Sequence, residues 1–249
     1  MVRLSKHSLF CLEGEFVMLF YICLVLGLIN LILFLVQRRP QVSLRVLFFK
    51  TTTSCLMILA SLAAYYENKD SCSLELALLF FAGSVCGLLG DIWLDAKYIF
   101  PSEKNGLLKA GFISFLIGHI FYSVAMFITY GVSTLSIICG VVGALSAPLT
   151  CMVTEKLFKA DFGKDKLISV VYTGVLTFTT GVSLAVAIEN NFDLSSLVRF
   201  VGMVLFLGSD AVLARVYFCE GQNTRVNVVI NHALYYLAQF SLATSLFVS

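Results

Sequence analysis

Eight apolar stretches, each about as long as a bilayer-spanning helix and separated by short polar breaks, run through this chain of 249 residues. A hydrocarbon core about 30 Å thick takes roughly 20 residues of helix to cross. Residues 16–36, 44–65, 74–94, 109–130, 132–153, 167–188, 198–218 and 226–248 meet that length. The breaks carry the expected punctuation, among them Gln37-Arg38-Arg39-Pro40, Glu67-Asn68-Lys69-Asp70 and Glu220-Gly221-Gln222-Asn223. None could hold a soluble domain, so residues 1–249 read as a single transmembrane domain. A backbone in lipid must satisfy its own hydrogen bonds, which makes the expected fold an all-α bundle of eight transmembrane helices. The first stretch ends in two arginines without a small-residue cleavage site, and reads as an anchor rather than a removable signal peptide.

Composition narrows the function. Only 13% of residues are charged, about half the soluble average, and the mean hydropathy is +0.93. The 17 Lys+Arg and 15 Asp+Glu nearly cancel, which argues against a nucleic-acid partner. The cysteines Cys23, Cys55, Cys86 and Cys139 lie in apolar runs, and no pair has zinc-ligand spacing. Lys and Arg divide unevenly between the two ends. Arg38, Arg39, Arg45, Lys97, Lys104, Lys109, Lys156, Lys159, Lys164, Lys166, Arg215 and Arg225 make 12 on one side; Arg3, Lys6, Lys69 and Arg199 make 4 on the other. The richer side is expected to face the cytoplasm and both termini away from it. The compartment is an endoplasmic reticulum membrane if the source is eukaryotic, an inner membrane if bacterial. Small residues at helical spacing, Gly83 and Gly87, then Gly140, Gly143 and Ala147, predict close helix packing.

Polar groups at membrane depth are costly, and each is a functional candidate. They are Asn30, Lys50, Asp91, His119, Asp210 and His232, with Tyr122, Tyr172, Tyr235, Tyr236 and Gln239 beside them. With a rise of about 1.5 Å per residue, Asp91 falls roughly 5 Å from the cytoplasmic end of its span, Asp210 and Lys50 roughly 10 Å, and His119 roughly 15 Å. One shared cavity toward the cytoplasm is expected, with Lys50, Asp91 and Asp210 as its charged groups and almost no charge in the other half. Gly90-Asp91-x-x-Leu94 returns as Ser209-Asp210-x-x-Leu213, and the following span each time carries His-x-x-Tyr, His119 to Tyr122 and His232 to Tyr235. Two four-helix halves in parallel orientation would produce that pattern.

The same residues carry a resemblance. From the second span onward, Lys50, Leu89-Gly90-Asp91-x-x-Leu94, Gly118-His119-x-x-Tyr122, Ser209-Asp210-x-x-Leu213-Ala214 and Tyr235-Tyr236-x-Ala238-Gln239 resemble the YhhN family of integral membrane proteins, whose characterised members are lysoplasmalogenases. Lys50 is followed by Thr51-Thr52-Thr53 where the family often has a proline, and His232 lies outside the shared pattern. The resemblance implies hydrolysis of the vinyl ether bond of a lysoplasmalogen, a lysophospholipid drawn from the surrounding membrane lipids, to a fatty aldehyde and a glycerophospho-headgroup. Such chemistry uses an acid and a base, as glycoside hydrolysis does, and needs neither metal nor cofactor. Asp91 and Asp210 are the expected pair. Lys50 would hold phosphate or tune an aspartate, and His119, Tyr122, Tyr172, Ser209, Tyr235 and Gln239 would position substrate and water. A small transporter or channel, and a non-catalytic lipid-binding protein, are the rival readings. The one-sided depth of the polar groups argues against the first, because carrier sites sit near the midplane on broken helices.

Overall fold

The computed structural model describes residues 6–40 and 42–249, with side chains from Glu15 onward. Arg3 and the Lys6 side chain, two of the four cations assigned to the poorer side, lie outside that range. Among the described residues eight long helices follow one another: α1 (Lys6–Gln37), α2 (Leu44–Glu67), α3 (Leu74–Ile99), α4 (Lys104–Tyr130), α5 (Thr134–Phe158), α6 (Lys166–Glu189), α7 (Leu194–Phe218) and α8 (Arg225–Phe247). No strand occurs among the described residues. Seven of the helices are long and apolar enough to cross a membrane. The eighth, α8, carries Asn227, Asn231, His232, Tyr235, Tyr236 and Gln239.

The helix starts are written locally. Ser43, Ser73, Asp193 and Thr224 each accept a hydrogen bond from a backbone N–H of the first turn, and Ser133 forms a capping box with Ser136. α4 and α6 instead grow out of single 3₁₀ turns, Pro101–Glu103 and Gly163–Asp165. Two ends depart from expectation. α3 runs five residues past residue 94, to Ile99, and so draws Asp95 and Lys97 into the helix. Pro148 sits inside α5, which continues ten residues beyond it to Phe158.

Consecutive helices pair as α1 with α2, α3 with α4, α5 with α6 and α7 with α8. Further contacts link α2 to α3 and α8, and α6 to α7 and α4. Small residues make the closest approaches, as their spacing predicts. A Cβ on Gly181 or Gly143 would fall onto the carbonyl of Cys139 or Thr177 on the facing helix. Gly118 lies close to the Gly83 carbonyl, 3.0 Å from where its Cβ would stand. Gly83 and Gly90 leave room for the rings of Tyr122 and Phe115, and Gly87 for Tyr235 and Gln239.

Replacing Gly181 with Leu should therefore force α5 and α6 apart and lower stability by about 1–3 kcal/mol. Gly106→Ala, at a position with nothing within 4 Å, should cost none of this. Thermal unfolding of the detergent-solubilised protein compares the two.

Candidate active site

α3 contributes two carboxylates, Asp91 and Asp95, one helical turn apart and therefore on one face. α2 aims Lys50 between them: its Nζ stands 3.2 Å from Asp91 Oδ1 and 3.4 Å from Asp95 Oδ2. Arg38, just past the end of α1, reaches Asp95 Oδ1 from the other side at 3.1 Å. All four side chains are buried. Two cations and two anions thus alternate as Arg38–Asp95–Lys50–Asp91 and cancel. A buried ion is tolerated only when it is paired in this way.

The far oxygen of Asp91 is held by hydroxyls. Ser54 Oγ and Tyr235 OH each donate to Asp91 Oδ2 at 2.8 Å. Behind them Gln239 Nε2 donates to Tyr235 OH at 3.3 Å, and Tyr236 OH donates to the Lys50 carbonyl at 2.9 Å. Asn30 of α1 steadies the same turn of α2, donating to Phe49 O at 2.6 Å and to Thr53 Oγ1 at 2.7 Å.

Asp210 has a different setting. Its Oδ2 accepts a short hydrogen bond from Tyr172 OH, and no cation pairs with it among the described residues. Asp91 and Asp210 nevertheless face the same small cavity of about 20 Å³, together with Lys50, Ser209, His232 and Tyr235. That is close to the space one water needs. Asp210 also lines a second, wider cavity of about 310 Å³ between α5, α6 and α7, and Leu213 and Tyr217 border both. The depths agree as well. Asp91 and Asp210 each lie eight residues from the end of their helix, about 12 Å along the axis. Asp91 is thus deeper than the expected 5 Å, because α3 is longer.

Most expected residues come together here, but with altered parts. Lys50 is only 3% exposed and its ammonium is shared by two carboxylates, so it is placed to tune them and not to grip a phosphate. Ser209 spends its hydroxyl on α8, exchanging hydrogen bonds with Asn231 at 2.9 and 3.2 Å. His232 is satisfied by the Val228 carbonyl, 2.7 Å from Nδ1. His119 and Tyr122 border neither cavity. His119, 1% exposed, is sealed among aromatic rings, with the Phe206 centroid at 4.6 Å and no hydrogen-bond partner for either nitrogen. Tyr122 OH stands 3.3 Å from Ser84 Oγ.

Arg38, Asp95, Lys97 and Arg199 are buried charges beyond the expected set. Arg38 and Lys97 read as loop charges in the sequence, yet Arg38 is locked to Asp95 and Lys97 lies over the Tyr217 ring, 3.2 Å from its centroid. Asp95 falls just outside the predicted span; its spacing of four from Asp91 is the available signal. Arg199 departs from the expectation of almost no charge in the half away from the site. It is 0% exposed and donates to Tyr130 OH at 2.8 Å and Ser195 Oγ at 3.0 Å.

A family profile, that of the YhhN family, matches residues 45–246, most of the chain. The chain belongs to the YhhN family. The match starts at the head of α2 and takes in Lys50, both aspartates and both tyrosines bonded to them, while Arg38 lies before it. Comparison with curated proteins and with solved structures returned no match.

Removing one member of the charge chain should be far worse than removing a balanced pair. Arg38→Met leaves three buried charges that do not cancel and should cost about 3–5 kcal/mol. Arg38→Met combined with Asp95→Leu leaves Lys50 paired with Asp91 and should recover most of the loss. Thermal unfolding followed with a thiol-reactive dye, which reads the buried Cys23, Cys72, Cys151 and Cys219, makes the comparison.

Proposed function

We propose that this chain is a lysoplasmalogenase-type ether hydrolase that cleaves the vinyl ether of a lysoplasmalogen at the boundary between the two cavities. The observation that carries the reading is the unequal environment of two carboxyl groups facing one water-sized space: Asp91 held by Lys50 and two hydroxyls, Asp210 by a tyrosine alone. Family membership supports it.

Vinyl ethers hydrolyse through protonation of carbon, and that step needs a carboxylic acid with its proton in place. Asp210, without a cation, takes that part. It delivers its proton to the outer vinyl carbon, and the adjacent carbon becomes an oxocarbenium ion. Asp91 is the carboxylate: its negative charge faces the cation, and it accepts a proton as water adds to the cationic carbon. The hemiacetal then collapses. Asp91 returns its proton to the departing glycerol oxygen, the hemiacetal hydroxyl proton restores Asp210, and the products are aldehyde and alcohol. Paired carboxylates in distinct settings divide glycoside hydrolysis in the same way. Tyr235 and Gln239 hold the water side, and Tyr172 orients Asp210.

Topology belongs to the same proposal. We take all eight helices as membrane-spanning, because the polar side chains that lower the hydropathy of α8 (Asn231, His232, Tyr235, Tyr236 and Gln239) are buried against the site. We take the halves as parallel repeats. The pairing of α1–α4 recurs in α5–α8, and Lys50 and Tyr172 are each the seventh residue of their helix, touching the aspartate of the next. The end richer in Lys and Arg is placed at the cytoplasmic face of an endoplasmic reticulum or bacterial inner membrane, with both termini opposite.

Purified protein given 1-alkenyl lysophospholipid should release fatty aldehyde, and in deuterated water that aldehyde should carry one deuterium on the carbon next to the carbonyl. Asp210→Asn and Asp91→Asn should each lower the rate by at least about a hundredfold. An ester-linked lysolipid should be spared, since no Gly-x-Ser-x-Gly elbow is present. Full activity in both variants sinks the assignment.

A further inference from the structure

The 310 Å³ cavity has a polar end that the acid–base reading leaves unused. Arg215 borders it from α7, three residues before that helix ends. Its Nη2 donates to Gln222 Oε1 at 2.9 Å and its guanidinium lies over the Phe158 ring, 5.2 Å from the centroid. It forms no salt bridge among the described residues, and its Nε is buried without a partner. Ser169 borders the same cavity from α6, three residues after that helix begins. Its side chain is 5% exposed, and its Oγ also has no partner. Both residues therefore lie about 4.5 Å from the ends of their helices, at one level. A cation and a hydroxyl without a partner that border one open cavity call for an anion with several acceptor oxygens.

We propose that Arg215 and Ser169 form the phosphate subsite for a single-chain glycerophospholipid, whose chain leaves sideways between α5 and α7. This rests on the reading of Asp210 as the acid. The spacing fits. Arg215 lies five residues from Asp210, about 7.5 Å along α7, which is close to the reach from an sn-1 vinyl ether through glycerol to phosphate. The volume fits as well. At about ten water volumes the cavity takes one glycerophosphate and the start of one chain, not two chains. The exit is apolar: α5 packs against α6 rather than α7, and the gap is bordered by Phe158, Phe162, Leu207 and Phe218.

Binding of an unreactive 1-O-alkyl lysophosphocholine to the purified full chain tests the subsite without requiring turnover. Microscale thermophoresis should give a tighter Kd for this lipid than for 1-O-alkylglycerol, which has the chain but no phosphate. Arg215→Gln should weaken the phospholipid by at least about tenfold and leave the alkylglycerol unchanged. Ser169→Ala should weaken the phospholipid several-fold, and Arg215→Lys should restore part of the affinity. Glycerophosphocholine, the same phosphate without a chain, should bind far more weakly than the lipid. Equal effects of Arg215→Gln on both lipids, or none on either, would overturn the subsite. Glycerophosphocholine binding as tightly as the lipid would overturn its assignment to a membrane substrate. Failure of aldehyde release with these affinities intact would strike the hydrolase reading and leave the phosphate subsite standing.

Discussion

One lysine between two carboxylates governs the layout. A charge taken from water into a protein interior within lipid costs several kcal/mol unless it is matched nearby. Lys50 is shared by Asp91 and Asp95, and Arg38 supplies the second positive charge at Asp95. The four-residue chain is neutral as a unit, and it fastens the end of α1, the first turns of α2 and the last turns of α3 together. Because this arithmetic closes without Asp210, the second aspartate is left with hydroxyl contact alone. In the proposed reaction that asymmetry divides the labour: one carboxyl group starts charged and the other starts protonated.

Placement of the reaction follows from packing. Close glycine contacts bring α3 against α4 and α5 against α6, while α5 and α7 are left apart at the end where the larger cavity opens. Asp210 borders both that cavity and the water-sized one, so in the proposed reaction lipid and water approach the same carboxyl group from different sides. A lysolipid needs no passage through the protein in this arrangement. In the proposed reaction it reaches the acid from the bilayer, with its headgroup near the interface.

Much of this was legible in the sequence, for physical reasons. Eight apolar runs of bilayer length can only be helices, and an aspartate in such a run is too costly to be incidental. Asp91, Asp210, Lys50, Tyr235 and Gln239 therefore stood out, and the structure brings them together. Asp95, Arg38 and Lys97 were hidden because hydropathy ends a span where charge begins, whereas α3 continues to Ile99 and buries those charges against partners from other helices. Partners set by tertiary structure cannot be read from one helix's composition. Arg199 shows this most clearly: its neighbours Tyr130 and Ser195 come from α4 and from its own first turn. His119 shows the converse. Its depth pointed to the cavity, but its ring packs against Phe206 and borders neither cavity.

The most direct test of the divided roles is the infrared spectrum of the protein in lipid at neutral pH, compared between ordinary and deuterated water. A protonated carboxyl group gives a C=O band that shifts on deuteration, while a carboxylate does not contribute there. Divided roles predict such a band in the native protein, lost in Asp210→Asn and retained in Asp91→Asn. A band that survives Asp210→Asn and disappears in Asp91→Asn would contradict them.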